Sequence, residues 1–150
     1  MTASQDLFVS EQHPISRRWA IVEDYGRSAW LYLSEPDASK PAADCWLYNH
    51  APTPAHLDTD AVARGEPPIV PATHADETAT LSPPAQRSVR LRWSDDGQSV
   101  AVLFDAVLIG FIAQGHARGF SKHLRVAGPF GSPLDTVLFE RVFTSHDNAA

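Results

Sequence analysis

The chain has 150 residues, 43% of them hydrophobic, a formal net charge of −6 and a single cysteine, Cys45. This length and apolar content suit one domain with a real core, and the whole of 1–150 is expected to form it. The acidic balance argues against nucleic-acid binding by phosphate neutralisation, which needs a basic face, and one cysteine cannot close an internal disulfide.

The opening "MTASQDLFVSEQ" has neither the basic start nor the apolar run of a signal peptide. No window carries the apolar length of a membrane helix. The expectation is a cytoplasmic protein that does not enter a membrane. Asp6 to Val9, "DLFV", fits a short edge strand. "RRWAIVEDYGRSAWLYL" then holds a strand from Trp19 to Glu23, a turn at "DYGR" and a return strand from Ser28 to Leu33. A further strand runs from Asp44 to Asn49, "DCWLYN".

Residues 51–86 change character. They are rich in Pro, Ala and Thr and lack aromatics. They read as a long surface loop, and a tolerated insertion explains such a length inside a compact domain.

From Val89, "VRLRWSDDGQSVAVLF" alternates, turns and alternates again. Val89, Leu91 and Trp93 point one way and Arg90 and Arg92 the other, the period of a half-buried strand. Asp96-Gly97 predicts a type I′ hairpin that pairs Trp93 with Val100, Leu91 with Val102 and Val89 with Phe104. A second turn at Asp105-Ala106 extends the same face, pairing Phe104 with Val107, Val102 with Ile109 and Val100 with Phe111. Its chemistry is weaker, because alanine disfavours positive φ. The reverse face carries Ala101, Leu103, Leu108 and Ile112, and is too apolar to stay in water.

In "GSPLDTVLFERVF", Ser132 is the expected N-cap, with Pro133 at the first helical position and Asp135 in the first turn. Leu134, Val137, Leu138 and Val142 follow at helical spacing, which makes this helix the expected cover for the reverse face. The β-branched residues leave a strand reading open. Residues 145–150 read as a disordered tail. The fold class is therefore α+β and mostly β: an antiparallel β-meander with a C-terminal helix and a long Pro/Ala-rich loop.

The segments "WAIVEDYGRSAWLY", "CWLYN" and "VRLRWSDDGQSVAVLFDAVLIGFI" together resemble the small bacterial family of unknown function DUF2251. Its members share a tryptophan-led strand, an acidic-plus-glycine turn, an aromatic strand and a "W-S-[DE]-D-G" hairpin before an apolar strand pair. The likeness covers about residues 7 to 50 and 87 to 126. Members usually carry an Asn-Gly type turn where this chain has Asp105-Ala106. The resemblance implies a one-domain bacterial cytoplasmic protein and no particular activity.

The histidines at 50, 56, 74, 116 and 123 match no metal-ligand spacing, so no metal site and no cofactor are expected. Cys45 alternates with Trp46 in a strand, the place of a small buried hydrophobe rather than an activated nucleophile. There is no G-x-S-x-G and no G-x-G-x-x-G. Trp30, Tyr32, Trp46 and Tyr48 are expected in the core, ahead of an interface.

The expected function is that of a non-enzymatic binding protein. The profile matches immunity proteins that neutralise a basic toxin, with Glu23, Asp24, Asp95 and Asp96 at hairpin turns steering the partner. The alternative is a small-molecule binding or hydrolytic protein with a pocket between sheet and helix, built from His116, Arg118 and Glu140. The sequence names no partner and no oligomeric state.

Overall fold

The computed structural model describes residues 7–38 and 40–144. The expected tail at 145–150, and Asp6 of the first expected strand, lie outside the described residues. The α+β, mostly β class is as expected, but the meander is divided between two sheets. The first contains β1 (Leu7–Gln12), β2 (Trp19–Asp24), β3 (Ser28–Ser34) and β4 (Pro41–Asn49), in that order and all antiparallel. The second contains β5 (Val89–Trp93), β6 (Val100–Phe104), β7 (Val107–Ile112), β8 (Phe120–Ser121) and β9 (Ser132–Pro133), the last pair being parallel. Among the described residues two short α-helices, α1 (Thr59–Ala63) and α2 (Thr136–Phe143), and a 3-10 turn at Gln86–Ser88 complete the fold.

Each meander has one apolar face, and the two faces bury each other. Ala20, Val22, Leu31, Leu33, Cys45 and Leu47 of the first sheet share one core with Val89, Val100, Val102, Ile109 and Ile112 of the second. The sheets are joined along β4. The Asp44 amide donates to the Ala117 carbonyl (3.0 Å), and the Gly119 amide donates back to the Asp44 carbonyl (2.8 Å).

The hairpin register at β5–β6 is as expected, with Trp93 opposite Val100 and Val89 opposite Phe104. The turn is not type I′. Asp96 is not at positive φ; only Gly97 is, at 71°, and the Gly97 amide donates to the Ser94 carbonyl. The Asp96 carboxylate, accepting from the Gln98 amide and the Ser94 hydroxyl, holds this wider turn. At β6–β7 the turn is the expected one, with φ of 48° at Asp105 and 70° at Ala106.

Beyond that turn the expected register is corrected. Val102 lies opposite Gly110, and Val100 opposite Ile112. An extra residue at Ile109 puts a bulge in β7, so Ile109 and Ile112 both enter the core while Phe111 turns to the outer face. Packing against β4 explains the choice. A Cβ at position 110 would stand 2.9 Å from Cys45 Sγ and 3.0 Å from Leu47 Cδ2, so glycine takes the place where the sheets come closest.

Both outer faces are covered in part. Phe111 and Ala101 of the second sheet lie under Phe139, Phe143, Leu138 and Val142 of α2; a helix covers this face as expected, but Val137 of the expected stripe is exposed and Phe139 and Phe143 do the packing. The helix starts later than expected: Asp135, not Ser132, is the N-cap, accepting from the Leu138 amide at 2.9 Å. Ser132 and Pro133 instead form β9, the Ser132 amide donating to the Gly119 carbonyl. Arg92 closes the far end, its guanidinium donating to the Phe143 carbonyl at 2.6 Å and lying over the Phe139 ring.

The segment 51–86 is more than a surface loop. It folds across the outer face of the first sheet and buries Val70, Ala75 and Ala79 against Trp30 and Trp46. Buried Asn49 holds it by imitating a backbone: its side chain donates to the Val70 carbonyl (2.9 Å) and accepts from the Val70 amide (3.1 Å). Residues 79–81 then run beside the end of β4, paired through the Asn49 main chain. No helix among the described residues is long and apolar enough to cross a membrane.

Candidate functional site

Three connections meet at one end of the sandwich. The β1–β2 turn touches the β3–β4 turn through the Asp37 amide and the Arg17 carbonyl (2.8 Å). It touches the β5–β6 turn through Arg18 and the Gln98 side chain (3.0 Å), and through His13, which lies so close over Gly97 that a Cβ there would be 2.4 Å from its Nδ1. Turns favour acidic residues because a carboxylate accepts from nearby amides. This end therefore collects exposed Glu11, Glu35, Asp37, Asp95 and Asp96. Two guanidinium groups offset them, Arg17 at 3.0 Å from Asp37 and Arg18 at 3.7 Å from Glu35.

Asp96 is held charged. The Gln98 amide, then the Ser94 hydroxyl, lower its carboxyl below the ordinary aspartate value. Beside it a groove of ≈260 Å³ runs between the hairpin and α2. Asp96, Gln114 and His116 form its polar side, with Ala113, Leu138 and Val142 as apolar floor. A carboxylate beside an aliphatic floor suits a lysine or arginine side chain, whose stem is apolar and whose head is charged.

The four expected steering acids do not form one surface. Asp95 and Asp96 belong to the acidic end, but Glu23 and Asp24 lie at the opposite end of β2, where Leu7 rather than Gln12 is their neighbour on β1. Asp24 is corrected outright as a steering residue. It is fully buried and accepts from the Tyr48 hydroxyl (2.7 Å) and the Gly26 amide (2.8 Å), with His50 Nδ1 at 3.0 Å. A fully desolvated carboxylate with three partners ties strands together and offers nothing to an incoming protein.

The alternative constellation is also divided. His116 opens to the groove beside α2. Arg118 faces another recess and pairs with Asp44 at 2.5 Å. Glu140 lies exposed on α2 and lines neither recess. Stacked phenylalanines fill part of the space between sheet and helix, Phe111 lying 4.9 Å from Phe120 and Phe139 4.8 Å from Phe143, and what stays open there is the groove that His116 lines without Arg118 or Glu140.

Cys45 is fully buried, as expected of a core residue, and burial pushes its thiol up, away from the reactive thiolate. Trp46 and Tyr48 are fully buried and Trp30 almost so, while Tyr32 remains half-exposed. The Asp24–His50 pair has the form of the orienting half of a catalytic triad. Among the described residues, no group of three or more His, Cys, Asp or Glu side chains is arranged to hold a metal ion.

The sequence did not reveal that three separate turns converge on one end, since nothing local marks turns as neighbours in space. No family model, no curated protein and no solved structure matches this chain, so the acidic end and its groove are identified from the chain's own geometry.

Proposed function

We propose that this chain is a non-enzymatic binding protein of the bacterial cytoplasm, which takes a basic protein partner on its acidic end in the manner of an immunity protein bound to a toxin. The observation that carries this is the gathering of exposed Glu11, Glu35, Asp37, Asp95 and Asp96 at one end of the sandwich, with Asp96 lining a groove that has an apolar floor. Carboxylates on a rim accelerate encounter with a basic surface, and the groove gives one lysine or arginine of the partner a specific seat.

The test is to identify the stoichiometric partner and measure its association rate across a salt series. The triple substitution Glu35→Lys, Asp37→Lys, Asp95→Lys is expected to slow association at low salt by about tenfold to a hundredfold and to flatten the salt dependence. A basic partner whose rate and salt slope are unchanged by this variant overturns the proposal.

A further inference from the structure

The outer face of the first sheet carries a second feature, independent of the acidic end. Trp30 and Tyr32 alternate on β3 and point away from the sandwich core. Their rings lie within 13° of parallel, with centroids 6.3 Å apart. A recess of ≈270 Å³ opens against them, walled by Val62, Pro68, Pro129 and Phe130. A smaller one of ≈80 Å³ shares the same two rings and continues past Glu23, Tyr25 and Arg27. The segment 51–86 thus covers the aromatic face only partly and leaves a groove along it.

The charged groups at the two ends of this groove nearly cancel. Asp44 and Arg118 pair at 2.5 Å at one end, and Arg27 pairs with Glu66 at 3.3 Å at the other, with Glu23 close by. Such ends give little net attraction to an ion. They do present carboxylate acceptors and guanidinium donors in fixed, planar geometry, which suits neighbouring hydroxyl groups. At the edge of the recess Asp44 presents Oδ2, which accepts from Arg118, while its Oδ1 is closed off from solvent. Burial, with Glu23 and Asp44 alongside, pushes the Tyr32 phenol up, so its hydroxyl stays protonated and able to donate.

We propose that the Trp30–Tyr32 groove binds a neutral sugar ring. The apolar C–H face of the ring packs on part-exposed Tyr32 and the proline walls, with buried Trp30 behind Tyr32, and its hydroxyls engage Asp44 Oδ2 and Arg118. The volume suits a single ring, being just below the roughly 300–1,000 Å³ of sites that enclose larger ligands. A peptide of extended proline-rich form would use the aromatic walls but has few donors for Asp44, and so is the less suited occupant.

The test is amide and indole ¹H–¹⁵N NMR of the whole chain, titrated to millimolar concentrations with glucose, galactose, mannose and N-acetylglucosamine, and with a proline-rich peptide as comparison. The expected result is that at least one sugar shifts the Trp30 indole and the amides of β3 and residues 117–119. Tyr32→Ala and Arg118→Ala should each weaken that sugar about tenfold, while Tyr32→Trp retains it. Arg118 is exposed, so its variant reads the site even if Tyr32→Ala fails to fold. The proposal is overturned if no sugar shifts these signals, if the shifts map elsewhere, if Arg118→Ala binds equally well, or if only the peptide binds.

Discussion

The buried carboxylate of Asp24 on β2 accepts a 2.7 Å hydrogen bond from the hydroxyl of Tyr48 on β4, across the intervening strand β3. Burial, and then Asp24 itself, pushes the Tyr48 phenol up, so the hydroxyl remains the donor. The bond ties the turn end of the β2–β3 hairpin to the end of β4, just where Asn49 begins to hold the segment 51–86. Tyr48 reaches the inner face because the β3–β4 register slips between Ala29 and Trp30.

Asp24→Ala is therefore expected to destabilise the fold by about 3 kcal/mol, because it leaves Tyr48 and the Gly26 amide without their acceptor. Tyr48→Phe leaves Asp24 two other partners and is expected to cost only about 1 kcal/mol. Denaturant unfolding measures both. Neither variant should change the salt dependence of partner binding, which separates this carboxylate from those of the acidic end.

Ala106 sits at φ of 70° in the β6–β7 turn, in the region that disfavours a Cβ. Ala106→Gly should relieve that strain and stabilise the chain by about 0.5–1 kcal/mol, less the extra entropy of glycine in the unfolded chain. A lower thermal midpoint for this variant would show that the turn is not strained.

Asn49→Ala removes both side-chain bonds to Val70 and leaves its amide and carbonyl buried without partners. A cost of about 2–3 kcal/mol is expected, concentrated on the segment 51–86. Hydrogen exchange should show the Val70 amide losing protection while the amides of β6 keep theirs.

Buried His123 has its imidazole held below the ordinary 6.5 by desolvation, and by nearby Lys122, against the opposing pull of Asp76. The folded state thus binds a proton less readily than the unfolded state. Its contribution is complete above pH 6.5 and is lost as the pH falls from there through the folded value. Stability measured across this range should fall more steeply for the native chain than for His123→Gln. Equal slopes would contradict the direction of the shift.

Much of the framework is legible from local pattern. Alternation in 89–93 and 100–104 sets which side chains share a face, since a strand has period two and a slip of one residue would expose Val100 and Val102. The helical spacing of Leu134, Val137, Leu138 and Val142 likewise marks a helix, although Leu134 precedes it and Val137 faces solvent. What misled was local chemistry with two solutions. Asp-Gly serves a type I′ turn and also a wider turn with glycine alone at positive φ. Ser132 can cap a helix, but its amide found Gly119 first.

The candidate sites were less legible, because they depend on which turns become neighbours. Nothing in "VEDYGR" distinguishes buried Asp24 from exposed Asp95 until Tyr48 and His50 arrive from β4. Composition and periodicity by themselves determined the hairpin strands, the inward faces of β5 and β6 and the need for a covering helix, because these follow from burying apolar side chains at a fixed repeat. Only the tertiary structure decided the rest: the division into two sheets, the bulge that turns Phe111 outward, the role of 51–86 as a cover, and the gathering of Glu11, Glu35, Asp37, Asp95 and Asp96 at one end. Those depend on contacts between residues far apart in the chain, and no local repeat encodes them.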